Sequence, residues 1–259
     1  MNELLKHLCE STNSVRCLWL GNDNWLLYDG HYLLAFDLDP CNPRRKIPCP
    51  VSVMDLAPYL DLLLITHAHE DHFNSDTCKI LAASGHCRFA VPLSCYNKAA
   101  NCRLPADRCI DTMPGMQFSL FGADLVCIRA IHGHIGGTVY SDASTYDCGY
   151  LFNFGGLRFY QPGDTLLLEE HLTLSPVDVL FLSPTEHNTW IDNSVRLISL
   201  LHPKHVLFQH FDTYIETPVN QFWSHGYVNE VLACLSPEDQ QWCIVPKIGD
   251  IIQLPHLQI

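Results

Sequence analysis

Short apolar runs separated by turn residues dominate the chain, and they predict strands. The stretches at 15–21 (VRCLWLG), 24–30 (NWLLYDG) and 32–40 (YLLAFDLDP) are each closed by Gly or Asp-Pro punctuation, as hairpin strands are. Residues 60–68, LDLLLITHA, hold a short, fully apolar run that predicts a buried strand. Further strand-like runs occupy 87–92, 117–122, 123–132, 150–156, 157–164, 177–184 and 205–212, and IGDIIQLP near the C-terminus predicts one more strand closing a sheet. Helices are predicted over 74–84, where Asn74 or Ser75 supplies a cap, over 191–203 and over 227–235. In the second of these, Val195, Leu197, Ile198, Leu200 and Leu201 are spaced as on a packed helix. Hairpins followed by strand–helix alternation predict two sheets with helices outside. The chain has no low-complexity segment, long linker or internal repeat, and its 259 residues are expected to form a single domain, 1–259.

Composition narrows the function classes. Hydrophobic residues make up 47% of the chain and charged residues 17%, a globular balance. The formal charge of −13 repels nucleic-acid backbones and anionic membranes. The densest basic cluster, Arg44-Arg45-Lys46, is three residues long and reads as a solvated turn. Neither a nucleic acid nor a membrane is therefore expected as a partner. MNELLKHLCE carries acids and lacks the apolar core of a signal peptide. No apolar run approaches the roughly 20 residues that span a bilayer, so a cytoplasmic protein is expected. The thirteen cysteines include no Cys-x-x-Cys pair and read as small buried hydrophobes of a reducing compartment. The series Cys87, Cys95, Cys102, Cys109 matches no metal-ligand spacing.

The candidate chemistry begins at ITHAHEDHF, residues 65–73, where three histidines and two acids follow a buried strand. Divalent transition metals take neutral imidazoles and carboxylates at fixed geometry. His67 and His69, two apart at a strand end, can converge on one ion, and Asp71 and His72 suit a second. Four ligands cannot close two sites. His132, Asp164 and His210 each end or lie in a later predicted strand, where one sheet edge brings distant residues to a shared rim. His134 competes with His132 in IHGHIGG, and the strand-terminal position favours His132. Glu70 reads as a solvated or supporting acid. His31, His86, His171, His202, His205, His225 and His256 have no partner pattern and read as surface or satisfied core residues.

His-x-His-x-Asp-His, a lone His, Gly-Asp-Thr and a late His after an apolar strand together resemble the metallo-β-lactamase superfamily, over nearly the whole chain. GNDNW, FDLDP, QPGDT, DVLFLSPTEHNTW and PKHVLFQHFDTY resemble the branch that includes ascorbate-6-phosphate lactonase. The resemblance implies an α/β fold, the four-layer αβ/βα sandwich, with two divalent metal ions. By motif, His67, His69 and His132 would hold the first ion; Asp71, His72 and His210 would hold the second; Asp164 would bridge them. Zinc suits five imidazoles and two carboxylates best, and manganese and iron also tolerate them. His187, in SPTEHNTW, matches a region where related enzymes place a substrate-facing His. It would donate a hydrogen bond to developing charge or a proton to the leaving group. Glu186 and Asn188 are weaker companions.

The implied activity is hydrolysis of a small-molecule substrate, a lactone or a phosphorylated sugar-acid derivative, by a metal-bridging hydroxide that Asp71 also orients. Phosphodiester hydrolysis of nucleotides or phospholipid head groups is the alternative enzymatic reading, and metal or ligand binding without catalysis the non-enzymatic one. A Glu in place of His69, as in oxygen-reducing di-iron sites, is absent, as are the export signal and the Cys ligand of secreted β-lactamases. The negative charge argues against the RNA-processing branches. His72-Phe73-Asn74 lacks the glycine found in glyoxalase II-like thioesterases. Lys98, Arg129, Arg158 and Arg196 are the candidates for meeting a phosphate, and the loop 134–150, with Tyr140 and Tyr146, is a candidate pocket wall.

Overall fold

The opening hairpins pair as their turns predict. In the computed structural model, which describes residues 2–11 and 13–255, β1 (Ser14–Trp19), β2 (Trp25–Tyr28) and β3 (Leu33–Phe36) run antiparallel. His256 and both ends of the expected unit 1–259 lie outside the described residues. The sheet continues with parallel neighbours β4 (Leu62–Leu64), β5 (Arg88–Pro92) and β6 (Cys109–Thr112). The second sheet begins with β7 (Gln117–Leu120) and β8 (Ala123–Arg129); a small ribbon, β9 (Gly133–His134) with β10 (Thr138–Val139), stands apart from it. It goes on through β11 (Cys148–Phe154), β12 (Leu157–Gln161), β13 (Val179–Leu182), β14 (His205–Phe208) and β15 (Cys243–Ile244). The C-terminal strand β16 (Ile251–Pro255) closes the first sheet against β1, as its pattern predicts.

The two sheets pack face to face, and helices cover both outer faces. Alternation along each strand divides its side chains between two cores. In β3, Leu34 and Phe36 join the inter-sheet core while Leu33 and Ala35 join the outer one. In β13, Val179 and Phe181 point between the sheets while Leu180 and Leu182 meet the helices. On the first sheet the outer layer is α1 (Glu3–Leu8), α2 (Val53–Leu56), α3 (Ser75–Ser84) and α4 (Tyr96–Asn101). On the second it is α5 (Trp190–Leu201), with α6 (Gln221–Ser224) and α7 (Val228–Cys234) following. The fold is the expected α/β four-layer αβ/βα sandwich.

Several predicted runs are longer than the strands they form. The run at 157–164 pairs only over Leu157–Gln161 and that at 205–212 only over His205–Phe208, so Asp164 and His210 follow strands. Two further boundaries have a visible cause. The run at 60–68 pairs as a strand only over Leu62–Leu64, because Thr66 gives its N–H to the Asp37 carboxylate at 2.8 Å instead of to a ladder. The run at 123–132 stops at Arg129, because Ile131 bonds to Thr165 Oγ1 and receives the N–H of Leu166. His132 therefore follows a strand and does not end one. The short helices α1, α2 and α4 were invisible in the apolar pattern, each being under two turns. Cys87, Cys95 and Cys102 are buried in the outer core of the first sheet, as small hydrophobes. Among the described residues no helix is long and apolar enough to cross a membrane.

β3, β4 and β5 run parallel, as do β12, β13 and β14. Their C-terminal ends therefore share one rim per sheet, and such rims are where open α/β sheets bind ligands. Between the sheets, Phe181 is fully buried, with ring centroids 5.2 Å from Trp25, 5.9 Å from Phe36 and 6.2 Å from Phe159. Phe181→Ala is expected to lower unfolding free energy by about 3–5 kcal/mol. Chemical denaturation would read this as a lower midpoint with an unchanged slope; a loss below about 1 kcal/mol would mean that the aromatic layer does not carry the sandwich.

Candidate metal centre

Asp37, directly after β3, builds the first half of the site. It is fully buried and left-handed (φ 46°). Its carboxylate accepts the Thr66 N–H (2.8 Å), the Thr66 hydroxyl (2.7 Å) and His72 Nδ1 (3.0 Å). The last bond leaves His72 Nε2 bare and aimed away from Asp37, the usual way a supporting carboxylate orients a ligating imidazole. Thr66 Oγ1, having given its proton to Asp37, accepts from His67 Nδ1 at 3.1 Å. His132 gives its Nδ1 proton to the Gly133 carbonyl at 2.7 Å. Gly133 is required there, since a Cβ would lie 2.1 Å from the His187 carbonyl oxygen.

The ligating atoms of His67, His69 and His132 all lie within 4.8 Å of one another, and so do those of Asp23, His72, Asp164 and His210. Asp164 Oδ2 is the focus. It stands 3.4 Å from His72 Nε2, 3.4 Å from His132 Nε2, 3.2 Å from His210 Nε2 and 2.8 Å from His187 Nε2. Asn188 Nδ2 donates to its other oxygen at 2.8 Å. Gly163 delivers Asp164 through a left-handed turn (φ 64°) too tight against Thr66 for a Cβ. His210 is itself held left-handed (φ 59°), its N–H donated to the Asn22 carbonyl; such strain in a non-glycine residue gathers at functional sites. The Nε2 atoms of His67, His72 and His210 and Oδ2 of Asp23 are buried with no hydrogen-bond partner. Buried heteroatoms left bare cost free energy unless a cation takes them up, so the donor set fits metal ions.

The expected residues divide as follows. His67, His69, His72, His132, Asp164 and His210 fall into these groups. Asp71 falls outside them: one oxygen is 3.9 Å from His72 Nε2 and the other 4.0 Å from Arg44. His134 stacks on Tyr140 and meets Phe222 at a tilt instead. His187 is buried and bonded to Asp164, and Asn188 assists it. Glu70 accepts from Ser75 and pairs with Lys98 at 3.0 Å, supporting the start of α3. Asp23 and Asp37 were missed as site residues; only their place in GNDNW and FDLDP marked them.

A cavity of about 680 Å³ opens onto the centre, lined by His69, Asp71, His132, Asp164, His187 and His210 among others. Tyr140 of the loop 134–150 contributes to its wall, and Tyr146 does not. Lys98, Arg129, Arg158 and Arg196 are not among the lining residues; Lys98 donates to the Ala68 carbonyl and Arg129 pairs with Glu170. Arg44 is the one lysine or arginine at the wall among the described residues. The cluster Arg44-Arg45-Lys46 is thus not a solvated turn. Arg45 is buried against Asp39, a carboxylate that burial would leave too costly alone, and Arg44 lies 5.6 Å above the Trp223 ring and 5.7 Å from that of Tyr214.

A family described as Beta-lactamase superfamily domain matches residues 36–211. An uncharacterized protein of Mycobacterium tuberculosis is 28% identical over 188 residues, covering 67% of this chain and 50% of its own length. The chain thus spans about half the length of such relatives. A protein named metal-dependent hydrolase from Pyrococcus furiosus is 29% identical over 163 residues, covering 60% of this chain and 68% of that one. A solved metallo hydrolase from Ignicoccus hospitalis shares the fold, with a TM-score of 0.68 at 22% identity, covering 93% of this chain and 98% of that one.

The two groups differ electrostatically. Burial, then the neighbouring imidazoles, holds His67 well below the ordinary histidine range, and burial with His132 takes His69 down to about 4. Burial opposes charge on His210 too, but Asp164 and Asp23 overcome it and raise His210 to about 9. Burial pushes the Asp23 carboxyl up, partly offset by His210 and His72. A histidine raised from 6.5 to about 9 on folding contributes stability that is full below pH 6.5 and lost as pH rises through about 9, worth about 3 kcal/mol. Chelator-treated protein is therefore expected to melt at lower temperature at pH 9.5 than at pH 6.5, and His210→Gln to flatten that slope. Thermal melts across the window read it; an unchanged slope in His210→Gln would show that another group sets the pH dependence.

Proposed function

The chain belongs to the beta-lactamase superfamily, and from that premise we propose that it is a metal-dependent hydrolase of a small anionic molecule, a lactone or phosphorylated sugar-acid derivative. The observation that carries the reading is Asp164 Oδ2, set within 3.4 Å of one imidazole from the first group and two from the second, on the cavity wall. His67, His69 and His132 would hold one ion, His72 and His210 with Asp71 the other, and Asp164 both. Bound there, two divalent ions, zinc first and manganese or iron next, supply an activated water and polarise the carbonyl or phosphoryl oxygen.

The chain's own groups do the rest. Burial resists charge on Asp71, but His72 and His210 overcome it and hold the carboxyl below its ordinary value, so it faces the cavity ionised and orients the attacking water. Burial lowers His187 to about 4, against the pull of Asp164, so the ring is neutral near pH 7. Its Nε2 proton is committed to Asp164, and Nδ1 has no partner. His187 therefore positions Asp164 and does not supply a proton to the leaving group. Arg44, with its side chain half exposed, offers the anionic substituent a bidentate partner. The same guanidinium suits a phosphodiester, which makes phosphodiester hydrolysis the second reading.

Initial rates of zinc- or manganese-loaded protein on a phosphorylated sugar lactone and on a chromogenic phosphodiester separate the two. Turnover of the lactone alone is expected; turnover of the diester alone would favour the second reading, and of neither the non-enzymatic one. Asp164→Asn is expected to cut turnover at least about a hundredfold with loss of bound metal. Full activity with full metal content would remove Asp164 from the centre. Arg44→Met is expected to raise KM about tenfold for the phosphorylated substrate and to leave a neutral lactone unaffected; equal effects on both would mean that Arg44 does not read the anionic group.

A further inference from the structure

Asp23 sits where the motif pattern assigns no metal ligand. It lies in the turn between β1 and β2, closed by the Asn24 N–H on the Gly21 carbonyl at 2.9 Å. Neighbouring Asn22 pins that turn from two sides, accepting from the His210 N–H (3.2 Å) and donating through Nδ2 to the Asp71 carbonyl (3.3 Å). Asp23 is fully buried. Its Oδ1 accepts from Ser183 Oγ at 3.0 Å, and Ser183 is held in turn by Gln209 Nε2 at 3.0 Å. Gln209 also bonds Gln161 and Trp25. The carboxylate is thus anchored through one oxygen to the second sheet.

The other oxygen has no hydrogen-bond partner. It faces His72 Nε2 at 3.6 Å and His210 Nε2 at 3.8 Å, two nitrogens equally bare. These separations are too long for hydrogen bonds. They are near the spacing of about 3.3 Å between donors that each stand about 2.0 Å from a tetrahedral ion. A carboxylate kept only for structure would use both oxygens on donors, since a bare buried oxygen costs free energy.

We propose that Asp23 Oδ2 is a protein ligand of the second metal ion, completing with His72, Asp164 and His210 a four-donor shell that does not need Asp71. This rests on the two-ion reading above. It makes the two sites chemically unequal, three imidazoles with the shared Asp164 carboxylate around one ion and two imidazoles with two carboxylates around the other. Oxygen donors favour harder ions, so manganese is expected to enter the second site in preference to the first.

Metal content and affinity test this directly. Chelated wild type is titrated with zinc and with manganese, bound metal is counted by mass spectrometry after gel filtration, and Asp23→Asn is treated alike. Wild type is expected to hold two ions per chain. The variant is expected to keep one at wild-type affinity and to bind the other about 10–100-fold more weakly. Thermal melts separate ligation from structure. Without metal, Asp23→Asn should lose only what Asp23 contributes by facing His210; the rise in melting temperature that metal adds should be smaller in the variant than in wild type. A variant that binds two ions with unchanged affinity, or that loses equal stability with and without metal, would overturn the proposal. Wild type holding fewer than two ions would overturn the two-ion reading itself. Should Asp23→Asn not fold, Ser183→Ala, which frees Oδ1, is expected to weaken the second ion several-fold and spare the first; no change there would equally overturn it.

Discussion

The Asp37 carboxylate accepts three hydrogen bonds in a space closed to water, from the backbone and hydroxyl of Thr66 and from His72. Each of the three positions something else. Pulling the Thr66 N–H off the sheet ends β4 and turns the chain into the histidine loop. Orienting the hydroxyl leaves Thr66 Oγ1 free to accept from His67. Holding His72 by Nδ1 sends Nε2 toward Asp164. Thr66 also touches the opposite sheet, since its carbonyl accepts the Cys148 N–H and its side chain packs on Gly163. Thr66 thereby ties the two rims together beside Asp164, and the Asp23–Ser183, Asn22–His210 and Trp25–Gln209 bonds tie them elsewhere.

Burying so many acids would be costly without such pairing. Asp37 is satisfied by hydrogen bonds, Asp39 by Arg45, Asn42 and Tyr214. Asp23 and Asp164 instead face imidazoles: Asp164 with Asp37 raises His72, and Asp164 with Asp23 raises His210, in spite of burial. The first group has no comparable surplus of acid, and His67 and His69 are held below the ordinary histidine range. An arrangement with neutral imidazoles on one side and carboxylates on the other is stable when cations occupy it, which links affinity for metal to the folding of the rim.

The cavity adds a second asymmetry. Carboxylates and imidazoles line one side, while Arg44, seated on Trp223 and Tyr214, adds the opposite charge. Arg44 can be offered to solvent because its neighbour Arg45 is spent inside, on Asp39. Two adjacent arginines thus do different work, one structural and one at the wall.

Much of this was legible in the sequence. Apolar runs of strand length predicted nearly all the larger strands, since a strand buried on both faces needs nothing but apolar residues. His67, His69 and His72 were legible because neighbours in sequence at a strand end must also be neighbours in space. His132, Asp164 and His210 could be read from motif order. The remainder depended on contacts across the chain. Asp23 meets Ser183 and His210, Asp37 meets His72, and Arg44 meets Trp223, pairs separated by dozens to well over a hundred positions. Local pattern determined which segments are strands and where the histidines cluster. Only the closing of two sheets on each other decided which acids face those histidines and which cation reaches the cavity, because burial and proximity belong to the packed chain and not to any stretch of it.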